Sequence, residues 1–403
     1  MSKSLTLNKI ALRNITRRYA RSLFLGGLVA LLAFVLTGGS LLVSSLRSGT
    51  ESMAARLGAD ALIVPAGYER SAEGALLRGE PSSFYLEPDL AERLSQVEGI
   101  AQVSPQLFIA SMNSEHCDAI VQFIGFDPDT DFVVKPWLSQ LLSGGLPKGQ
   151  IVIGSRIDGK PGQELNFFGR KYTVAAKLEE TGMGFDTSVF TDLETSRIAL
   201  ADYISFGGEN APPDADGVAS VLTVNIRQGY DSNQFSRNVN YGFRKEGVGV
   251  VFPKTMISNV SGNLASLIGV TVALMVLLWV LAAGVLTVLF SVTVNERKRE
   301  FGVYRALGAP QRYLSRLILT ESLAVSAAGA VIGTALITLV YFLFSDLIGL
   351  SIDAPYLRPA GGVTALVITG GFALSLVIGP LAAAYSAGKI GRIATYAIMR
   401  EGE

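Results

Sequence analysis

Four stretches of this chain are apolar and almost free of charge: residues 22–46, 263–294, 317–345 and 362–388. Each exceeds the roughly 20 residues that a helix needs to cross a bilayer, so the pattern predicts four transmembrane helices. Between the first and the second lies a long segment, 47–262, in which short apolar runs alternate with polar and turn-forming residues. That alternation predicts a mixed α+β domain. Strand-like runs fall at 103–109, 119–126, 151–154, 218–226 and 248–252, and a hairpin over 163–180 turns at Gly169 and Arg170. Helical spacing marks 88–97, 191–203 and 232–244. The stretch 207–216, rich in Gly, Pro and acidic residues, predicts a loop that divides the domain into two lobes.

The second apolar run would be about 45 Å long as a helix, well beyond a hydrocarbon core of about 30 Å. It is therefore expected to continue outside the membrane as a stalk, and the first run continues toward Leu57 in the same way. Gly26 and Gly27, Gly38 and Gly39, Gly329 and Gly333, and Gly370 and Gly371 punctuate the spans. Small residues let helices approach closely in lipid. Four helices are few for a translocation path, which points to a dimer.

Charge sets the expected orientation. Lys3, Lys9, Arg13, Arg17, Arg18 and Arg21 precede the first span with no acid among them, and Leu5, Ile10, Leu12 and Ile15 are interspersed. Residues 1–21 thus read as an amphipathic helix lying in the inner interface. The segment 295–316 is also basic, and Lys389, Arg392 and Arg400 follow the last span, whereas 346–361 carries Asp346 and Asp353 against Arg358. The positive-inside rule then makes 1–21, 295–316 and the tail 389–403 cytoplasmic, and 47–262 and 346–361 extracytoplasmic. The first span is too long for a secretory signal and reads as a retained anchor. The predicted fold class is a membrane protein of four transmembrane helices with one large α+β extracytoplasmic domain between helices 1 and 2.

The formal net charge of zero hides a division: 47–262 holds 18 Lys and Arg against 27 Asp and Glu. An acidic domain excludes nucleic acid as a partner, while the basic rim fits anionic lipids or an acidic cytoplasmic protein. A single cysteine rules out an internal disulfide framework.

Catalytic and metal motifs fail. Residues 154–161 approach a phosphate-binding loop, but Pro161 replaces the hydroxyl residue that ligates Mg²⁺ and cannot open the required helix. His116 and Cys117, the only histidine and cysteine, are adjacent and flanked by Glu115 and Asp118. They are candidate contacts for a soft ligand, with a surface loop between strands as the simpler reading. One chain supplies too few ligands for a closed zinc site. Glu321 is the one clear ionisable residue within a span.

The charged stretch ERKREFGVYRALGAPQRYLSRLILTESL, residues 296–323, resembles the signature of the FtsX-like, MacB-type ABC transporter permeases, and IALRNITRRYARSLF, residues 10–24, resembles the helix that leads that family into the membrane. The resemblance implies a homodimeric, non-catalytic permease driven by a separate ABC ATPase subunit. It places ATP and Mg on that partner, no cofactor on this chain, and a periplasmic adaptor among the candidate partners. The ATPase is expected on another polypeptide because Met1 leads almost directly into the first helix. Carried over by position, Glu296, Arg297, Arg299, Glu300, Tyr304, Arg305, Gly308 and Ala309 form the element coupled to the ATPase. Arg side chains there would clamp carboxylates of the partner. The implied function is mechanotransmission: ATP-driven motion of the outer domain to export or extract an amphipathic or toxic substrate. A lipoprotein-releasing permease, or a signalling module that activates an envelope enzyme, are the alternatives.

Overall fold

The computed structural model describes residues 7–111, 116–142, 144–351 and 354–390. Lys3, Leu5, Glu115, Asp353, Arg392 and Arg400 lie outside them. The chain begins with α1 (Leu7–Arg17) and α2 (Tyr19–Arg56). The domain then follows with β1 (Ala61–Pro65), α3 (Glu69–Arg78), α4 (Leu90–Ser95), β2 (Ile100–Ala110), β3 (Gln122–Phe126), α5 (Lys135–Leu141) and β4 (Gln150–Ile153). It continues through β5 (Glu164–Phe167), β6 (Arg170–Lys177), β7 (Ser188–Asp192), α6 (Leu193–Ser205), β8 (Val221–Ile226), α7 (Ser232–Gly242) and β9 (Val248–Val251). Four helices complete the order: α8 (Pro253–Glu296), α9 (Lys298–Ala306), α10 (Gln311–Ser351) and α11 (Gly361–Ile390). Within α2, α8, α10 and α11 lie four segments long and apolar enough to cross a membrane.

By contacts, the chain forms two units, a helical one from 1–44, 265–348 and 359–403, and a domain from 45–264 and 349–358. The domain is built on one nine-stranded mixed sheet of order β5-β6-β4-β7-β3-β2-β8-β1-β9. The loop at 207–216 therefore does not separate two lobes: β8, which follows it, inserts between β2 and β1. Backbone pairing across β2 and β8 outweighs the local signal of a flexible, proline-rich stretch. The strand β7 also occupies part of the segment expected as helix. Its side chains are buried throughout, and Asp192 ends it by capping α6, accepting from the Thr195 amide at 2.9 Å.

The sheet fixes where the chain enters and leaves the domain. β1, just after α2, pairs antiparallel with β9, just before α8, with Leu62 opposite Val251. Lys254 Nζ and Asp60 Oδ1 are 2.6 Å apart across the same edge. The connector between α10 and α11 belongs to the domain as well. Tyr356 is only 3% exposed, and the Leu357 amide donates to the Ser45 carbonyl at 3.2 Å. Gly49 lies against the Pro355 carbonyl, too close for any side chain. Gly182 faces the Tyr356 carbonyl with φ +70°, a conformation suited to glycine. Its turn is pinned by buried Asp186, which accepts from the amides of Thr181 and Gly182 at 2.7 and 2.8 Å. Ser52 Oγ in turn donates to the Thr181 carbonyl at 2.8 Å.

In the helical unit, α2 is the packing centre. Gly329 and Gly333 of α10 meet the backbone of α2 at Gly26 and Ala30, Gly371 of α11 lies against Thr37, and Gly39 lies against Met275 of α8. Water is absent here as a driving force, so close backbone approach and dispersion hold the helices. We expect Gly333→Leu to separate α10 from α2 at a cost of about 2 kcal/mol from overpacking. Thermal unfolding of the detergent-purified chain checks this, with Ile332→Leu, on the exposed side of the same turn, leaving the midpoint unchanged.

Candidate functional site: the charged helix between the second and third spans

The expected cytoplasmic coupling loop at 295–316 contains a helix. α8 runs on to Glu296, the backbone breaks at Arg297 (φ −96°, ψ 10°), and α9 follows at once. α9 ends where Gly308 adopts φ +89°. The Gly308 amide donates to the Arg305 carbonyl at 3.0 Å and the Ala309 amide to the Tyr304 carbonyl at 2.9 Å. This pairing is the Schellman arrangement, in which a left-handed residue satisfies the last helical carbonyls. Pro310 then precedes α10. The residues Gly308, Ala309 and Tyr304 thus shape a sharp return.

Arg297 sits at the break and is only 4% exposed. Its Nη1 meets Glu321 Oε2 of α10 at 2.6 Å, and its Nε meets Glu300 Oε2 at 2.9 Å. The guanidinium also lies over the Phe301 ring, 5.0 Å from its centre. Glu321 Oε1 accepts from Asn14 Nδ2 of α1 at 2.6 Å, and Glu300 Oε1 pairs with Arg18 at 2.9 Å. Arg21 pairs with Glu296 at 3.0 Å. Burial pulls the Arg297 pKa down, but Glu321 and Glu300 outweigh it and leave it above its ordinary value. Charge alternates through this set, so each buried charge has an opposite neighbour. The chain is thereby fastened at one locus, with α1, α2, α9 and α10 all contributing.

The expected coupling residues consequently divide. Arg297 is committed within the chain, and Glu296 and Glu300 are paired with Arg21 and Arg18. Arg299 is exposed, and Tyr304 and Arg305 are half-exposed. Two residues that charge patterning did not single out complete the outer face: Val303 is 60% exposed and Leu307 80% exposed. With Arg299 they recur at i, i+4 and i+8, one stripe along the helix and its cap. That spacing was the available signal, an apolar pair inside a charged run. Asn14 and Arg18 carried no signal of their own, because their role depends on which helices meet.

Elsewhere, the His116 ring stacks on Phe206 with centres 4.2 Å apart, and Cys117 Sγ accepts from the Phe168 amide at 3.4 Å. Among the described residues no three His, Cys, Asp or Glu side chains gather to hold a metal. At 154–163 the chain passes from β4 to β5 through turns, without the helix that a phosphate loop needs.

Residues 272–394 match the family described as FtsX-like permease C-terminal. That segment takes in most of α8 and all of α9, α10 and α11. The described site therefore sits inside the matched segment, apart from its α1 and α2 partners. Among solved structures, the chain is similar to the periplasmic region of MacB from Actinobacillus actinomycetemcomitans, at 12% identity and a TM-score of 0.29, over 50% of this chain and 92% of that one. It is also similar to the extracellular domain of the noncanonic ABC-type transporter YknZ from Gram-positive bacteria, at 16% identity and a TM-score of 0.27, over 48% of this chain and 98% of that one. No curated protein matches the sequence.

Removing one member of a buried pair leaves a charge without its counter-ion, which costs about 3–5 kcal/mol, whereas removing both for apolar groups costs far less. Arg297→Ala is accordingly expected to lower the unfolding midpoint sharply and expose α9 to limited proteolysis. Arg297→Met combined with Glu321→Leu should recover most of the midpoint. A double variant as unstable as the single one would show that the pair is not the determinant.

Proposed function

We propose that this permease is the membrane subunit of an ABC transporter and converts ATP hydrolysis on a separate ATPase subunit into motion of its large domain. The observation that carries the reading is the two-sidedness of α9. Its inner side is held by Arg297, while Arg299, Val303 and Leu307 face outward. A short helix with an exposed apolar pair and a flanking Arg suits a groove of apolar floor and acidic rim on a partner, in which burial supplies affinity and charge supplies register.

In this mechanism the partner ATPase binds ATP and Mg and moves α9. Because the Arg297–Glu321 pair ties α9 to α10, the displacement is passed on as rigid-body motion of packed helices. α8, a single helix of 44 residues, and α2, of 38, carry it toward the domain. The pairing of β1 with β9 holds their far ends side by side. The basic segments lie on the cytoplasmic face of the cell membrane, with both termini inside and the acidic domain outside. The permease works as a homodimer within anionic lipid, with a periplasmic adaptor as a further partner. Its substrate is an amphipathic or toxic molecule taken up beyond the membrane, and this chain performs no chemistry on it.

Val303→Asp with Leu307→Asp is expected to abolish co-purification of an ATPase subunit with the tagged full-length chain, without shifting the unfolding midpoint. Arg305→Glu should weaken the same association by a smaller factor. Recovery of the ATPase with the double aspartate variant would overturn α9 as its docking element. Purification with an envelope enzyme and no ATPase would instead favour the signalling alternative.

A further inference from the structure

A cavity of about 200 Å³ opens in the domain between α4 and α6. Pro105 of β2 and Leu222 of β8, which stand opposite each other in the sheet, give it an apolar lining together with Leu90 of α4. Four charged side chains complete it: Arg197 of α6, and Glu87, Asp89 and Glu92 around the start of α4. None of the four forms an ion pair or a side-chain hydrogen bond with a described residue. Other arginines of the same domain are met by acids. Arg93, next to Glu92, is taken by Glu246, and Arg170 meets Asp202 at 2.7 Å.

Arg197 is the least free of the four. It is half-buried, and its Nε has neither accessible surface nor a partner. The head group is thus held in the cavity wall, and its two terminal nitrogens, which are not buried, are the donors it offers there. A guanidinium so placed presents a fork that matches a carboxylate in two bonds.

The acids differ from it in exposure. Glu87, Asp89 and Glu92 all reach solvent. Asp89 begins α4, where an aspartate ordinarily accepts from first-turn amides. It sits at φ +65° instead and makes no capping bond, which leaves its carboxylate to the cavity rim.

One arginine against three carboxylates leaves two negative charges in excess. A simple anion fits Arg197 but is repelled at the rim, and a simple cation fits the rim but leaves Arg197 unmet. An occupant that meets both carries one carboxylate and two cationic groups, on a short aliphatic stem that covers Leu90 and Leu222. The volume is below the roughly 300 Å³ at which sites for drug-sized ligands begin, so the occupant is the size of a single amino acid.

We propose that this cavity binds a free diamino acid of the lysine type: its carboxylate accepts from Arg197, and its two ammonium groups lie among Glu87, Asp89 and Glu92. The site is independent of α9 and of what α9 binds.

The test is isothermal titration calorimetry on the full chain in detergent, with L-lysine as the probe. Lysine should bind saturably at one site per chain. Lysinamide, which lacks the carboxylate, should bind about tenfold more weakly, as expected for loss of a charge-assisted contact. Norleucine, which keeps the stem and lacks the second ammonium, should lose about threefold to fivefold, because the rim charges are solvated. Arg197→Gln should weaken lysine to the level of lysinamide and leave lysinamide unchanged. Glu87→Gln, Asp89→Asn and Glu92→Gln together alter only exposed side chains, and asparagine is accepted at positive φ. This triple variant should bring lysine down to the level of norleucine, and it serves should Arg197→Gln impair folding. No saturable binding at millimolar lysine, lysinamide matching lysine, or full affinity in the triple variant would overturn the site. Nα-acetyllysine binding as tightly as lysine would overturn a free amino acid as its occupant.

Discussion

The Arg297–Glu321 pair organises the helical unit of this chain, because a buried guanidinium at the junction of α8 and α9 tolerates very few arrangements. Placed out of water, it requires an opposite charge in contact and a hydrogen-bond acceptor for each accessible donor. Glu321 and Glu300 meet that need on two sides, and Phe301 covers its face. The direction in which α9 leaves α8 follows from these contacts. So does the orientation of α1, whose Asn14 completes the second oxygen of Glu321. An exposed ion pair would contribute little to such an arrangement; burial makes this one exacting.

The permanently satisfied inner face of α9 leaves its outer face available. Among the described residues Arg299, Val303 and Leu307 stay exposed, and the exposure of the apolar pair is informative because large apolar residues outside a membrane segment normally find cover. At the other end of α8 the constraint differs in kind. There, backbone pairing of β1 with β9 determines where α2 and α8 meet the sheet, and the connector of α10 and α11 is fitted against Gly49 and Gly182. Charge and glycine-mediated contacts organise the helical unit, and hydrogen-bonded backbone organises the domain.

Much of this was legible from the chain alone. The four spans, the large α+β domain between the first two, the glycine seams and the turn at Gly308 follow from hydropathy and residue type, because transfer to hydrocarbon and positive φ are local properties. Missed elements were those stabilised by partners far away in sequence. β1 and β7 are short, and their strand character comes from β8, β9, β3 and β4. The break between lobes expected at 207–216 failed for the same reason. The contacts of His116 and Cys117, a ring stack on Phe206 and a bond from the Phe168 amide, likewise depend on residues distant in sequence.

The candidate site shows where the division falls. Residue type and spacing alone marked the stretch after the second span as charged, helix-ending and distinct from the hydrocarbon on either side, since desolvation and backbone preference act residue by residue. Which of its charges point inward was decided only by tertiary structure. Arg297 and Arg299 are the same residue two positions apart, and neither composition nor pattern separates them. A helix turn places them on different faces, and one face meets Glu321 of α10, which Asn14 of α1 also holds.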